Sequence, residues 1–94
     1  MYAERENKVQ KGDLIMWSNG TIGIKNNLRN YVTIKYWCKH FEEPSKFGIE
    51  NGRISKLTLQ QGDREVYNYD RGLDIEPQTE EAEQALAILM HEYN

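Results

Sequence analysis

The chain holds one cysteine, two prolines and two histidines among its 94 residues, and each scarcity closes off a class of protein. A single thiol, Cys38, has no partner for an internal disulfide, which excludes a small scaffold stapled by bridges. No apolar run approaches the roughly 18–20 residues that a spanning helix needs. Residues 1–12 are polar and mixed in charge, without the apolar centre of a secretory signal. The expected setting is therefore a reducing cytoplasm, with no membrane as partner. No second Cys or paired-His spacing closes a tetrahedral metal site, and no glycine-rich loop cradles phosphate. A large cofactor pocket would consume most of a core this small, so no cofactor is expected.

What is present is a folded composition: 29% charged and 38% hydrophobic residues, read as one domain over residues 1–94. The net charge of −3 is unevenly placed. Residues 1–71 contain every Lys and Arg and carry a surplus of positive charge. Residues 72–94 contain Asp74, Glu76, Glu80, Glu81, Glu83 and Glu92 and no base. Such asymmetry suits either a solvated helix face or a charged partner.

The local patterns predict an α+β domain. Residues 1–12 are expected to be a flexible segment. Asn19-Gly20, between Leu14-Ile15-Met16-Trp17-Ser18 and Thr21-Ile22-Gly23-Ile24-Lys25, reads as a type I′ hairpin turn. Tyr31 to Phe41 is the longest strand pattern, with Val32, Ile34, Tyr36 and Cys38 on the core side. Pro44 ends it, because proline donates nothing to a ladder. Ile54–Gln60 is a strand with Leu57 and Leu59 on one face, turning at Gln61-Gly62-Asp63 into a strand over Glu65–Asp70. Gly72 is expected to end the sheet. Residues 79–93 form the helix. Thr79 caps it, Glu80, Glu81 and Glu83 fill the first turn, and Ala82, Leu86, Leu89 and Tyr93 make one apolar stripe beside Ala85. Ile88 falls off that stripe. The expected fold is a four- or five-stranded antiparallel sheet, mostly a meander, with one C-terminal helix packed on one face. A partly open barrel bent at Gly12, Gly20 and Gly23 is the alternative.

Few residues invite chemistry. Cys38, His40 and Glu42 are metal-ligand types, but they share the core side of a strand, where a cysteine acts as a small hydrophobe. Adjacent carboxylates such as Glu42-Glu43 do not face each other, and nothing places a nucleophile beside an oriented base. No catalytic or metal residue is assigned. The opposite side of the long strand is more telling. Tyr31, Thr33, Lys35, Trp37, Lys39 and Phe41 alternate aromatic with basic or polar, a pattern that stacks bases and meets phosphates. Tyr67 and Tyr69 are expected to join Lys35, Trp37 and Lys39 on that binding face. A loop over residues 42–52 covering those aromatics is the competing expectation. Arg53 and Arg71 are expected to form structural ion pairs with Asp70 or Asp74.

Two stretches carry a resemblance: Lys39-His40-Phe41-Glu42-Glu43-Pro44-Ser45, running through Phe47-Gly48-Ile49 to Gly52-Arg53-Ile54-Ser55-Lys56-Leu57, and Asn68-Tyr69-Asp70-Arg71-Gly72-Leu73-Asp74. With the Ala85-Leu86-Ala87-Ile88-Leu89 helix they resemble a family of small uncharacterised proteins of phages, plasmids and conjugative elements of Gram-positive gut bacteria. The resemblance spans residues 31–94 and implies context, not mechanism: proteins of mobile elements often bind host machinery. The function expected is thus a non-enzymatic protein-binding module of a mobile element, inhibiting or modulating a host nucleic-acid enzyme of the CRISPR-nuclease or restriction type. Its protein partner would meet Glu80, Glu81 and Glu83, an acidic surface suited to a basic channel, together with Trp37 and Tyr69. The alternative is a single-stranded nucleic-acid-binding protein using the aromatic and basic sheet face.

Overall fold

The structure, a computed structural model, describes residues 2–10, 15–26, 28 and 30–94. Six strands run β1 (Tyr2–Gln10), β2 (Ile15–Lys25), β3 (Tyr31–Phe41), β4 (Ile54–Gln61), β5 (Arg64–Asp70) and β6 (Leu73–Ile75), followed by α1 (Glu80–Tyr93). They form one sheet in sequence order, each strand antiparallel to the next. This is the expected open meander with a helix on one face, with six strands where four or five are expected, and not the partly open barrel. Of the glycines offered as its bends, Gly20 and Gly23 lie within β2 and Gly12 lies outside the described residues.

The helix lies across β2, β3 and β4. Between it and the sheet sit Ile22, Ile24, Ile34, Tyr36, Cys38, Leu57, Leu59 and Val66, met by Ala82, Ala85, Leu89 and Tyr93. The period-2 pattern of β3 therefore reads correctly: Ile34, Tyr36 and Cys38 are buried, and Val32 packs at the margin. Burying one such side chain contributes about 1.5–3 kcal/mol. The helix starts where the residues direct it, with Thr79 Oγ1 accepting from the Ala82 amide at 3.0 Å. Leu86 and Ile88 both pack partly against the core, so Ile88 lies closer to the stripe than its spacing suggests.

Three local expectations are corrected. Asn19-Gly20 is not a turn. β2 runs straight through it, with Asn19 opposite Trp37 and Gly20 opposite Tyr36. A hairpin here would pair two short arms with each other. The eleven-residue β3 instead offers a full-length partner, and pairing from Ile15 to Lys25 keeps Ser18, Ile22 and Ile24 all buried. Gly72 does not end the sheet, because Asp70-Arg71-Gly72 is a tight reversal into β6, with the Asp70 amide donating to the Gly72 carbonyl at 2.9 Å. Residues 2–10, expected as a flexible segment, are a strand paired along β2. The reversal at Gly62-Asp63 stands as expected, and Gly62 adopts the left-handed φ of +62° that glycine tolerates without strain.

Candidate functional site

Strand alternation gives the sheet a second face, which the helix leaves bare. On it, register sets Trp17, Lys39, Lys56 and Asp70 in one row across β2–β5, and Asn19, Trp37, Thr58 and Asn68 in the next. Lys35 stands in the row beyond, between Thr21 and Gln60. Lys35, Trp37 and Lys39 thus form one column down β3, spaced by roughly 6.6–6.8 Å per pair of residues. Trp37 is 41% exposed and Lys35 is exposed. The sequences of β2, β3 and β4 contain no aspartate or glutamate at all. Acids enter these rows from the outer strands: β1 sets Glu4 opposite Thr21 and Glu6 opposite Asn19, and β5 sets Glu65 opposite Gln60 and Asp70 opposite Lys56.

Tyr67 and Tyr69 do not join this face. A bulge between Leu59 and Gln60 sets the pairing of β5, and Tyr67 lies opposite Leu59 and Tyr69 opposite Leu57, two leucines of the buried core. Tyr67 is buried, and that burial, with Tyr69 and Glu50 adding to it, pushes its hydroxyl up to about 12. Tyr69 packs at the core margin, and its hydroxyl donates to the Phe47 carbonyl at 2.9 Å. The acidic group is separate again. Glu80, Glu81 and Glu83 occupy the first turn of α1, on the side of the sheet opposite the Lys35–Trp37–Lys39 column. A single surface uniting Trp37, Tyr69 and these glutamates therefore does not form.

Where β3 ends, the bare face deepens into a cleft of about 620 Å³. Its floor is the row of Trp17, Lys39 and Lys56 with Phe41. Its wall is the loop after β3, from Glu42 to Ser45 and Phe47, and Arg71 closes it from the β5–β6 reversal. The loop thus covers one end of the aromatic face and leaves Trp37 open. It is a built wall. Ser45 donates its amide to the Gly52 carbonyl at 3.0 Å and its hydroxyl accepts from the Phe47 amide at 3.2 Å. Asn94 then clasps the far side of the loop, accepting from the Ile54 amide at 2.9 Å and donating to the Ile49 carbonyl at 3.1 Å. Gly52 sits so close to that carboxamide that a Cβ there would collide with it.

The cations of the cleft are unequally partnered. Lys56 meets Asp70 at 3.7 Å. Lys39, directly opposite Lys56 in the ladder, has no carboxylate in salt-bridge range among the described residues. Its ammonium rests over the Trp17 ring at 5.5 Å and the Phe41 ring at 5.7 Å. The Arg71 guanidinium lies over Phe47 at 4.3 Å, and Arg53 Nε reaches the Asn94 carbonyl at 3.4 Å. Among the described residues neither Arg53 nor Arg71 forms the expected ion pair: Asp70 serves Lys56, and Asp74 accepts from Asn68 at 2.9 Å. The sequence pattern on β3 pointed to Lys35, Trp37 and Lys39. It missed Trp17, Lys56, Phe47 and Arg71, which reach the same place only through cross-strand register and loop path.

The core side holds a Ser–His pair, with Ser18 Oγ 3.1 Å from His40 Nε2. Both are at most 4% exposed, and the Tyr93 ring covers the imidazole with centroids 4.5 Å apart. No substrate reaches that pair, so it is a packing contact. Among the described residues no three His, Cys, Asp or Glu side chains converge as metal ligands. Nor is any helix long and apolar enough to cross a membrane.

Residues 16–94 match the model of a family described as a domain of unknown function (DUF7678), a span that reaches further toward the N-terminus than the resemblance read from the motifs. Neither the curated proteins nor the solved structures gave a match.

Proposed function

The chain belongs to the DUF7678 family, and we propose that it is a non-enzymatic binding module whose working surface is the bare sheet face. The ligand this face suits best is single-stranded nucleic acid. One observation carries the reading: Lys35, Trp37 and Lys39 stand in a column on the central strand of three, β2–β4, whose sequences contain no carboxylate, the acids of β1 and β5 lying two strands away on either side. An exposed indole offers any base a stacking surface, and flanking ammonium groups meet the phosphates on either side.

The test is tryptophan fluorescence during titration with single-stranded and duplex oligonucleotides at low salt. Saturable quenching that weakens as salt rises is expected for the single strand. Trp37→Ala should cost about 1–3 kcal/mol in affinity. A folded Trp37→Ala protein that binds as tightly as the parent would end the stacking argument.

A second reading rests on the helix. Glu80 and Glu83 are exposed at its start; residues 72–94 contain no Lys or Arg, and Lys25 at the end of β2 lines a pocket with Glu80 and Glu81. In a protein of a mobile element, that ridge would engage the basic channel of a host nucleic-acid enzyme and inhibit or modulate it. The two readings separate cleanly, since the surfaces lie on opposite sides. Changing Glu80, Glu81 and Glu83 together to Lys should abolish such a protein contact while sparing strand binding. For either role we place the protein in the cytoplasm, where the buried thiol of Cys38 stays reduced.

A further inference from the structure

The cleft beside the lysine column has a shape and charge that the open face does not explain. At about 620 Å³ it falls within the ~300–1,000 Å³ of small-ligand sites, whereas stacking along a strand needs no concavity. Two of its cations, Lys39 and Arg71, rest on aromatic rings and have no carboxylate partner among the described residues. A cation over a ring is held near its binding position yet keeps its charge for an anion. Trp17, Phe41 and Phe47 supply flat apolar surface to the same space. Flat surface beside paired free cations describes the site of a nucleotide.

The position of the cleft says which nucleotide. The Lys35–Trp37–Lys39 column runs into it, and beyond Phe41 the path is shut by Glu42 and Glu43 and by the loop that Ser45, Gly52 and Asn94 brace. The braced loop is a steric stop for a continuing backbone, and Glu42 and Glu43 on it accept hydrogen bonds from the amino edge of a base. A strand following the column therefore ends here. A terminal phosphate monoester carries more negative charge than an internal diester, and Lys39 with Arg71 supplies the two positive charges that match it.

We infer that the cleft is an end pocket, holding the phosphate-bearing terminal nucleotide of a single strand laid along β3. This rests on the strand-binding reading above. The probes are oligonucleotides of one sequence and about 12 nucleotides, within the site sizes of small single-strand binders. One carries a 5′-phosphate, one a 3′-phosphate, one hydroxyls at both ends, and one is a closed circle. Affinity is read from the anisotropy of an internal label. One phosphorylated end should bind about tenfold tighter than the hydroxyl-ended strand or the circle, the size of one strong charge-assisted contact. Arg71→Asn should erase that advantage, weakening the phosphorylated strand about tenfold more than it weakens the circle, and asparagine also tolerates the left-handed backbone at this position, φ 60°. Lys39→Gln should erase it too while weakening all four probes; circular dichroism checks that both variants fold.

If the four probes bind the parent protein equally, the end pocket is wrong and the open-face reading stands. An advantage that survives in both variants also overturns it. Binding of free nucleoside monophosphate with no binding of any oligonucleotide overturns both, as does silence from every probe.

Discussion

His40 shows how a titratable side chain becomes a structural one. It lies under the Tyr93 ring, bonded to Ser18, and burial first, with the Arg53 charge second, holds its pKa below the ordinary 6.5. The unfolded chain therefore binds a proton near pH 6.5 that the folded chain refuses. Stability from this site is complete above that pH and is lost as pH falls toward the folded value. Denaturant midpoints should drop between about pH 7.5 and pH 5, and His40→Gln should flatten that slope whatever it does to the absolute midpoint. An unchanged slope in the variant would move the effect to another group. Cys38 makes a companion case. Burial pushes its thiol up to about 12, so near pH 8 it is neutral and shielded. Iodoacetamide should label it only after unfolding, and stoichiometric labelling of the native protein would contradict its place in the core.

At the scale of elements, the junction between sheet and helix is the most economical part of the chain. Thr79 accepts from the Ala82 amide and donates its own hydroxyl proton to Gln61 Oε1 at 2.8 Å. One side chain thus caps α1 and ties it to the end of β4. Gln78 adds a backbone link, its amide donating to the Val66 carbonyl at 2.9 Å. Thr79→Ala should lower stability by about 1 kcal/mol, the usual worth of an N-cap, seen as a shifted urea midpoint with an unchanged slope. No shift would mean that the Gln78 link and the buried stripe suffice to hold the helix start. The wall of the cleft depends on a similar economy. Asn94 follows the last turn of α1 and clasps the loop before β4, so the helix that covers the core also positions the wall of a site on the other face.

The whole molecule is two-sided: a helix bearing acids covers one face, and a column of lysine and tryptophan stands on the other. Residues 72–94 carry no Lys or Arg, and the three central strands β2–β4 carry no acid, so the positive column stands at the middle of the bare face with acids only on the outer strands and the loop. Association with a strand should then be steered by the bare face and fall steeply with salt. Lys35→Gln and Lys39→Gln should each reduce the slope of log affinity against log salt by about 1. If both leave the slope as it was, phosphates are met elsewhere. The helix substitutions of Glu80, Glu81 and Glu83 to Lys should leave strand affinity the same or raise it slightly, through added long-range attraction.

The alternation of β3, the buried leucines of β4, the Thr79 cap and the stripe of α1 were all legible in the residues, because each is set by neighbours within a few positions. The Lys35–Trp37–Lys39 column was legible for the same reason: period 2 puts alternate residues on one side of any strand. Period 2 does not say which side is covered, nor how strands register. So Asn19-Gly20 became strand interior once β3 supplied a full-length partner. Tyr67 and Tyr69 turned to the helix-covered side of the sheet, Tyr67 buried and Tyr69 at the core margin, because β5 pairs with Leu57 and Leu59 across a bulge. Trp17, Lys56, Phe47 and Arg71 came to Lys39 by register and loop path alone. Local side-chain pattern determined β3, β4 and α1 and their faces; hydrogen-bond register between distant segments decided that β1, β2 and β6 join the sheet whole, which faces met and where a cleft opened.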